Sequence, residues 1–194
     1  MWWSRLAHPA LYAWQEDDQP LRLIEQTVAC DDSDPKARAC YGLLARWWDT
    51  AQHRSEALWL RFVEGHPVSA VTIAFWAWCA QRAQEHGQCA VLRIWDNASW
   101  HDSQSVRAWV RQHHRQVKQS GHGVRWVACS LPTKSPWLNP IEPKWLAGKK
   151  RVAEPARLLS AQELEDRVCA AFGCPREPHL LQPHPHVHKS KKAA

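Results

Sequence analysis

Apolar positions fall in runs whose spacing separates strands from helices. Tyr41–Trp48 and Leu58–Glu64 are strand-like, and Gly65-His66-Pro67 closes the second run. Val68–His86 reads as a long, largely buried helix stopped by Gly87. Ala90–Trp95 is a short, mostly apolar run with the pattern of a buried strand, and it ends at Asp96. Asp102 or Ser103 can cap the next helix, whose apolar positions Val106, Trp109, Val110, His113 and Val117 share one face. Arg107, Arg111, Arg115 and Lys118 fall elsewhere around it, and Gly121 and Gly123 end it. Val124–Cys129 is another buried-strand candidate. Leu131–Pro143 carries four prolines and must be extended or turning. Ser160-Ala161-Gln162-Glu163 is a capping box opening a helix with Leu164, Val168 and Phe172 inward and Gly173 as its stop. Residues 15–38 read as polar connection, and the chain from Pro183 as a disordered His/Lys tail.

Strands that alternate with helices predict an α/β domain over residues 1–182, with a mixed sheet flanked by helices and residues 183–194 as the tail. Chemistry in such sheets gathers at the carboxyl ends of strands, where Asp96 stands. The 194 residues, 45% hydrophobic and 23% charged, exclude a wholly disordered chain and suffice for one sizeable core. No apolar run approaches the roughly 20 residues of a membrane-spanning helix, and Met1-Trp2-Trp3-Ser4-Arg5 lacks the order of an export signal. A cytoplasmic protein with no membrane partner is expected, its seven cysteines free and mostly buried. Most of the fourteen tryptophans are expected in the core.

Charge sharpens this picture. Residues 1–95 hold nine basic and eleven acidic residues, residues 96–151 ten and three, and residues 152–194 six and five. The excess behind the net +6 sits in the middle block, which suits a polyanion such as nucleic acid. Arg111, Arg115, Lys118, Lys134, Lys144, Lys149, Lys150 and Arg151 are the candidate phosphate contacts. A solvated basic helix face would look the same.

Two carboxylates stand out. Asp96, at a strand end before a polar loop, suits a hard divalent cation that takes oxygen ligands. It would equally suit a turn, accepting bonds from the amides of Ala98 or Ser99. Glu142 lies in Ser135-Pro136-Trp137-Leu138-Asn139-Pro140-Ile141-Glu142-Pro143-Lys144-Trp145. With Asn139 as N-cap and Pro140 at N1, Glu142 falls at N3, as a capping glutamate or as a ligand to a metal shared with Asp96. Spacing alone does not decide between these roles. Cys169, Cys174, His179 and His184 can be drawn as a zinc site, but no pair has zinc-finger spacing.

Asp96-Asn97 with His101 downstream, followed by Ser135-Pro136-x-Leu138-Asn139-Pro140-Ile141-Glu142-x-x-Trp145, resembles the catalytic core of DDE transposases of the mariner-type superfamily. It is most similar to the bacterial insertion-sequence branch numbered six-thirty. The resemblance runs from Trp2-Trp3-Ser4-Arg5 to about Leu180. It implies a ribonuclease-H-like fold and metal-dependent DNA cleavage and strand transfer, with two Mg²⁺ (or Mn²⁺) ions held by three carboxylates. Asp96 matches the second of these and Glu142 the third, with 45 residues between them. Asn97, His101 and Asn139 are possible auxiliaries. The implied partners are DNA, as transposon ends and target, and a second copy or a full-length transposase; the implied location is the bacterial nucleoid. The family's first carboxylate would precede Trp2, and none of Asp17, Asp18, Asp31, Asp32, Asp34 or Asp49 stands in the matching context. The expectation is therefore a chain truncated at its start and without the helix-turn-helix region. Such a chain would be inactive alone, and the alternative function is that of a remnant binding DNA or full-length transposase.

Overall fold

A computed structural model describes residues 1–5, 36–48, 51, 53–95, 101, 103–132, 135–152 and 158–181. Their order is β1 (Trp2–Ser4), β2 (Ala37–Trp48), β3 (Arg54–Glu64), α1 (Ser69–Glu85), β4 (Ala90–Trp95), α2 (Gln104–Ser120), β5 (Arg125–Ser130), α3 (Glu142–Val152), α4 (Ala161–Phe172) and β6 (Leu180–Leu181). One sheet runs β1-β2-β3-β6 and is mixed: β1 pairs antiparallel with β2, β6 parallel with β3. β4 and β5 form a separate parallel pair. With four helices this is the α/β architecture expected of a ribonuclease-H-like domain. Of the polar connection read over residues 15–38, residues 15–35 lie outside the described residues and Ala37 and Arg38 already belong to β2; the tail from Pro183 lies outside the described residues as well.

The chain divides into two compact units, residues 1–62 with 140–178, and residues 63–139 with 179–194. The first is built around aromatic rings. Trp3, Trp145 and Phe172 meet edge to face, with centroids 5.4–6.0 Å apart. The Trp3 indole N–H donates to Cys40 Sγ at 3.0 Å. Leu58, Leu60 and Phe62 from β3 and Leu164 and Val168 from α4 complete the core. Two glycines make room for it. A Cβ at Gly42 would collide with the Trp145 indole, and one at Gly148 with the Phe172 ring. Arg5, buried, donates from Nε to the Leu159 carbonyl at 2.7 Å, while the Leu159 N–H donates back to the Arg5 carbonyl. Glu165, 1% exposed, is held by Arg176 at 2.8 Å and Arg38 at 3.7 Å. The capping box at Ser160 and Glu163 forms as the sequence requires, and Gly173 ends α4 in the left-handed region.

The second unit centres on Trp76 of α1, whose ring lies 4.3 Å from Trp95, 5.7 Å from Trp126 and 6.2 Å from Trp109. The Arg93 guanidinium sits over Trp95 at 3.3 Å and Trp76 at 3.7 Å. This corrects the reading of β4 as buried on both faces. The strand alternates, with Arg93 and Trp95 inward and Leu92 and Ile94, 62% and 41% exposed, outward. β5, also read as a buried strand, buries Trp126 alone, and Val127 to Ser130 are exposed. An apolar run hides a period of two when the one polar residue facing inward is an arginine that aromatic rings can solvate.

Ser103 caps α2 by accepting from the Val106 N–H, and Gly121 ends the helix in the left-handed region. Two histidines tie α2 to β5. His113 Nε2 donates to the Val124 carbonyl at 2.8 Å, since a carbonyl can only accept. His114 Nε2 accepts from the Trp126 N–H at 3.0 Å, so its ring is neutral. Burial, then the neighbouring His113 and Arg125, hold its pKa below the usual histidine value. The folded state therefore takes up this proton less readily than the unfolded chain. Stability contributed by His114 is complete above about pH 6.5 and is lost as pH falls from there through the lowered folded-state pKa. Melting temperatures measured across that range should fall on acidification. His114→Gln, which keeps an acceptor that cannot titrate, should flatten the slope, and an unchanged slope would remove His114 as its source.

Free thiols occur as expected, but not all are buried. Cys40, Cys79 and Cys169 are buried, Cys174 is half-buried, and Cys89 and Cys129 are exposed. The tryptophans among the described residues divide likewise: six are buried, whereas Trp2, Trp48 and Trp137 are exposed.

Candidate functional site

The carboxyl end of β4 is fixed from several sides. Trp95 pairs in register with Ser130, its carbonyl accepts from the Leu131 N–H at 3.0 Å, and its ring contacts both the Arg93 guanidinium and the Trp76 ring. His101 stacks on the same indole, with centroids 5.2 Å apart and planes 4° from parallel. The chain that leaves β4 and the chain that begins the approach to α2 are thus held against one ring. Asp96 and Asn97 stand between these anchors in sequence and lie outside the described residues. Sequence reasoning missed Arg93 and Trp95 as the supports of this strand end. The available signal was a single arginine inside an apolar run.

Glu142 opens α3 as its first residue and is half-buried. This corrects the helix register, which sequence spacing placed two residues earlier. With Asn139 as N-cap, residue 143 would have to donate to the Asn139 carbonyl, and Pro143 has no N–H. The first turn closes instead from the Trp145 N–H to the Ile141 carbonyl at 3.0 Å. Pro143 then sits in the first turn, where its missing donor costs nothing. Before it, Pro136–Leu138 forms a single 3₁₀ turn, and the Leu138 N–H donates to the Ser135 carbonyl. Ile141 and Trp145 are buried in the first unit's core, so the start of α3 is anchored on both sides of Glu142. A carboxylate at a helix N-terminus is favoured by the helix dipole.

The basic residues fall into two groups. Arg111, Arg115 and Lys118 are exposed along one side of α2, continuing from Arg107 at helical spacing and away from the buried Val106 and Val117. Lys149, Lys150 and Arg151 are exposed in the last turn of α3, where Arg151 donates to the Ala171 carbonyl at 3.2 Å. Lys144 is engaged by Glu56 at 2.5 Å, which Arg46 also contacts at 2.7 Å. Hydrogen bonds from Lys144 and then Arg46 hold the Glu56 carboxyl below the usual range. Lys134 lies outside the described residues.

Among the described residues no three His, Cys, Asp or Glu side chains cluster as a metal site, and no helix is long and apolar enough to cross a membrane. Glu142 supplies the oxygen donor that a hard divalent cation takes, on a backbone fixed by core residues.

The described residues thus form an α/β domain with a mixed sheet, a carboxylate at the head of α3 after a proline-rich segment, and exposed basic helix faces. The sequence profile described as DDE superfamily endonuclease matches residues 5–165, and the chain belongs to that family. No curated protein and no solved structure shows significant similarity to it. Family membership makes the chain a transposase-like nuclease domain whose substrate is DNA and whose relatives generally use divalent metals.

Proposed function

We propose that the protein is a transposase of a bacterial insertion sequence, of the mariner-type branch numbered six-thirty, acting in DNA cleavage and strand transfer. The observation that carries this is the family match over residues 5–165, which includes the whole proline-rich segment ending in Glu142 and Trp145. In this reading Asp96 and Glu142 are two of three metal-holding carboxylates, and no residue is assigned to the third. Bound Mg²⁺ or Mn²⁺ would activate the attacking oxygen and stabilise the leaving oxygen at phosphorus. Glu142 holds its carboxylate from a first turn that Ile141 and Trp145 fix. Asn97, His101 and Asn139 are the proposed auxiliaries that would orient substrate or water. Arg111, Arg115, Lys118, Lys134, Lys144, Lys149, Lys150 and Arg151 would bind phosphates. Lys144 would do so while sharing its charge with Glu56. The partners are transposon-end and target DNA, with self-association or association with full-length transposase around them.

Binding to duplex DNA, followed by fluorescence anisotropy over about 50–200 mM salt, tests the footprint. Affinity should be sequence-tolerant and fall by about 0.9 log units per log unit of salt for each phosphate contact. Lys149, Lys150 and Arg151 changed together to alanine should lower that slope by about one for each residue in contact. Salt-independent binding, or a triple variant with an unchanged slope, would count against the assignment.

A further inference from the structure

The end of α4 brings two thiols together in a way the DNA chemistry does not use. Cys169 lies in the last turn and Cys174 just beyond Gly173, whose left-handed conformation (φ 62°) folds the chain back on itself. The Cys174 N–H donates to the Cys169 carbonyl at 3.1 Å, and Cys174 Sγ lies 3.7 Å from the same oxygen. This is the six-to-one bond of a Schellman cap, the motif that places the side chains on either side of the glycine in contact. A direct backbone bond leaves the two Cα atoms near the roughly 4.4–6.8 Å that disulfides span. The two residues differ in access: Cys169 is buried, while Cys174 is half-buried. Pro175 follows immediately and prevents the helix from continuing.

We propose that Cys169 and Cys174 are an oxidation site, a dithiol that hydrogen peroxide converts to an intramolecular disulfide across the cap of α4. The Cys174 thiolate attacks a peroxide oxygen, the O–O bond breaks, and Cys174 becomes a sulfenic acid as one water leaves. Cys169 sulfur then attacks the Cys174 sulfur, the S–O bond breaks, and the second water leaves with the Cys169 proton. Two thiols and one peroxide give one disulfide and two waters. The hydrogen bond from Cys169 lowers the pKa of Cys174 and raises that of Cys169, the division that an attacking and a resolving thiol require. Cys40, in the same core, is pushed up to about 11 by burial and is poorly suited to compete. The bond would tie the turn on which α3 rests, since Arg151 reaches the Ala171 carbonyl and the Phe172 ring covers Gly148.

Trypsin releases both cysteines in one peptide, Val168–Arg176, which makes the test direct. The native chain is treated with hydrogen peroxide, denatured, alkylated with iodoacetamide and digested. The expected product is this peptide with neither cysteine alkylated and two hydrogens lighter, restored to double alkylation by prior reduction. In Cys169→Ser, Cys174 should remain as a sulfenic acid that dimedone traps. The proposal is overturned if the peptide stays doubly alkylated once the exposed Cys89 and Cys129 are oxidised. It is equally overturned if the peptide is found linked to Ala39–Arg46, which carries Cys40. The wild-type measurement stands by itself should the serine variant fold poorly.

Discussion

Glu142→Gln and Asp96→Asn should each weaken Mn²⁺ binding by about 10–100-fold or more, while leaving the melting temperature nearly unchanged. Loss of a supporting group beside a metal ligand already costs about that much, and in the proposed site these changes remove a charged ligand itself. Any DNA cleavage that depends on Mg²⁺ or Mn²⁺ should fall with it, by about 10²-fold or more. The amides are isosteric with the acids they replace, so the loss should be one of charge. Titration of Mn²⁺ by calorimetry, with melting followed in parallel, separates the two effects. A Glu142→Gln protein with wild-type Mn²⁺ affinity would remove Glu142 from the site, and the same outcome for Asp96→Asn would remove Asp96.

The largest effect on stability should come from Trp145→Ala. The indole is 5% exposed, contacts Trp3 and Phe172 edge to face, and fills the space left by Gly42. Its loss should cost about 3–5 kcal/mol, a large part of the roughly 5–15 kcal/mol that holds a domain folded. Urea unfolding should show a sharply lower midpoint, and Trp145→Phe should recover part of it. Because the Trp145 indole anchors the first turn of α3 in the core, the alanine variant should also bind Mn²⁺ less well, although residue 145 carries no ligand atom for it. A loss below 1 kcal/mol would mean that the core around Gly42 closes over the gap.

Local rules carried much of this fold in the sequence. Ser160 caps where its spacing said it would, Ser103 is the one of the two candidates, Asp102 and Ser103, that caps α2, and Gly121 and Gly173 stop their helices. The boundaries of β4 were legible because turn residues flank a compact apolar run. Its facing was not, since the inward arginine is stabilised by Trp76, which lies far away in sequence. The helix at Glu142 was misplaced because Asn139-Pro140 is a good start signal taken alone, and the missing donor of Pro143 overrides it. At the candidate site, residue types and order pointed to Asp96 and Glu142. Partners distant in sequence, such as Glu56 for Lys144 and Trp76 for Trp95, were not legible, because no periodicity encodes a tertiary contact.

The distribution of indoles has a spectroscopic consequence. Trp3, Trp59 and Trp145 are buried in the first unit, and Trp76, Trp95 and Trp126 in the second. Intrinsic emission during unfolding therefore sums two populations, and a single transition seen by fluorescence does not show that the two units melt together. Trp76 and Trp95, at 4.3 Å, are close enough for their excited states to couple, which should give an exciton couplet in the circular dichroism spectrum. Beside a weaker contribution from Trp3 and Trp145 at 6.0 Å in the first unit, the contribution of this close pair belongs to the second. Trp76→Phe should abolish it, and its decay on heating, set beside total emission, would reveal whether the β4 end and the aromatic core around Trp145 lose structure in one step or two.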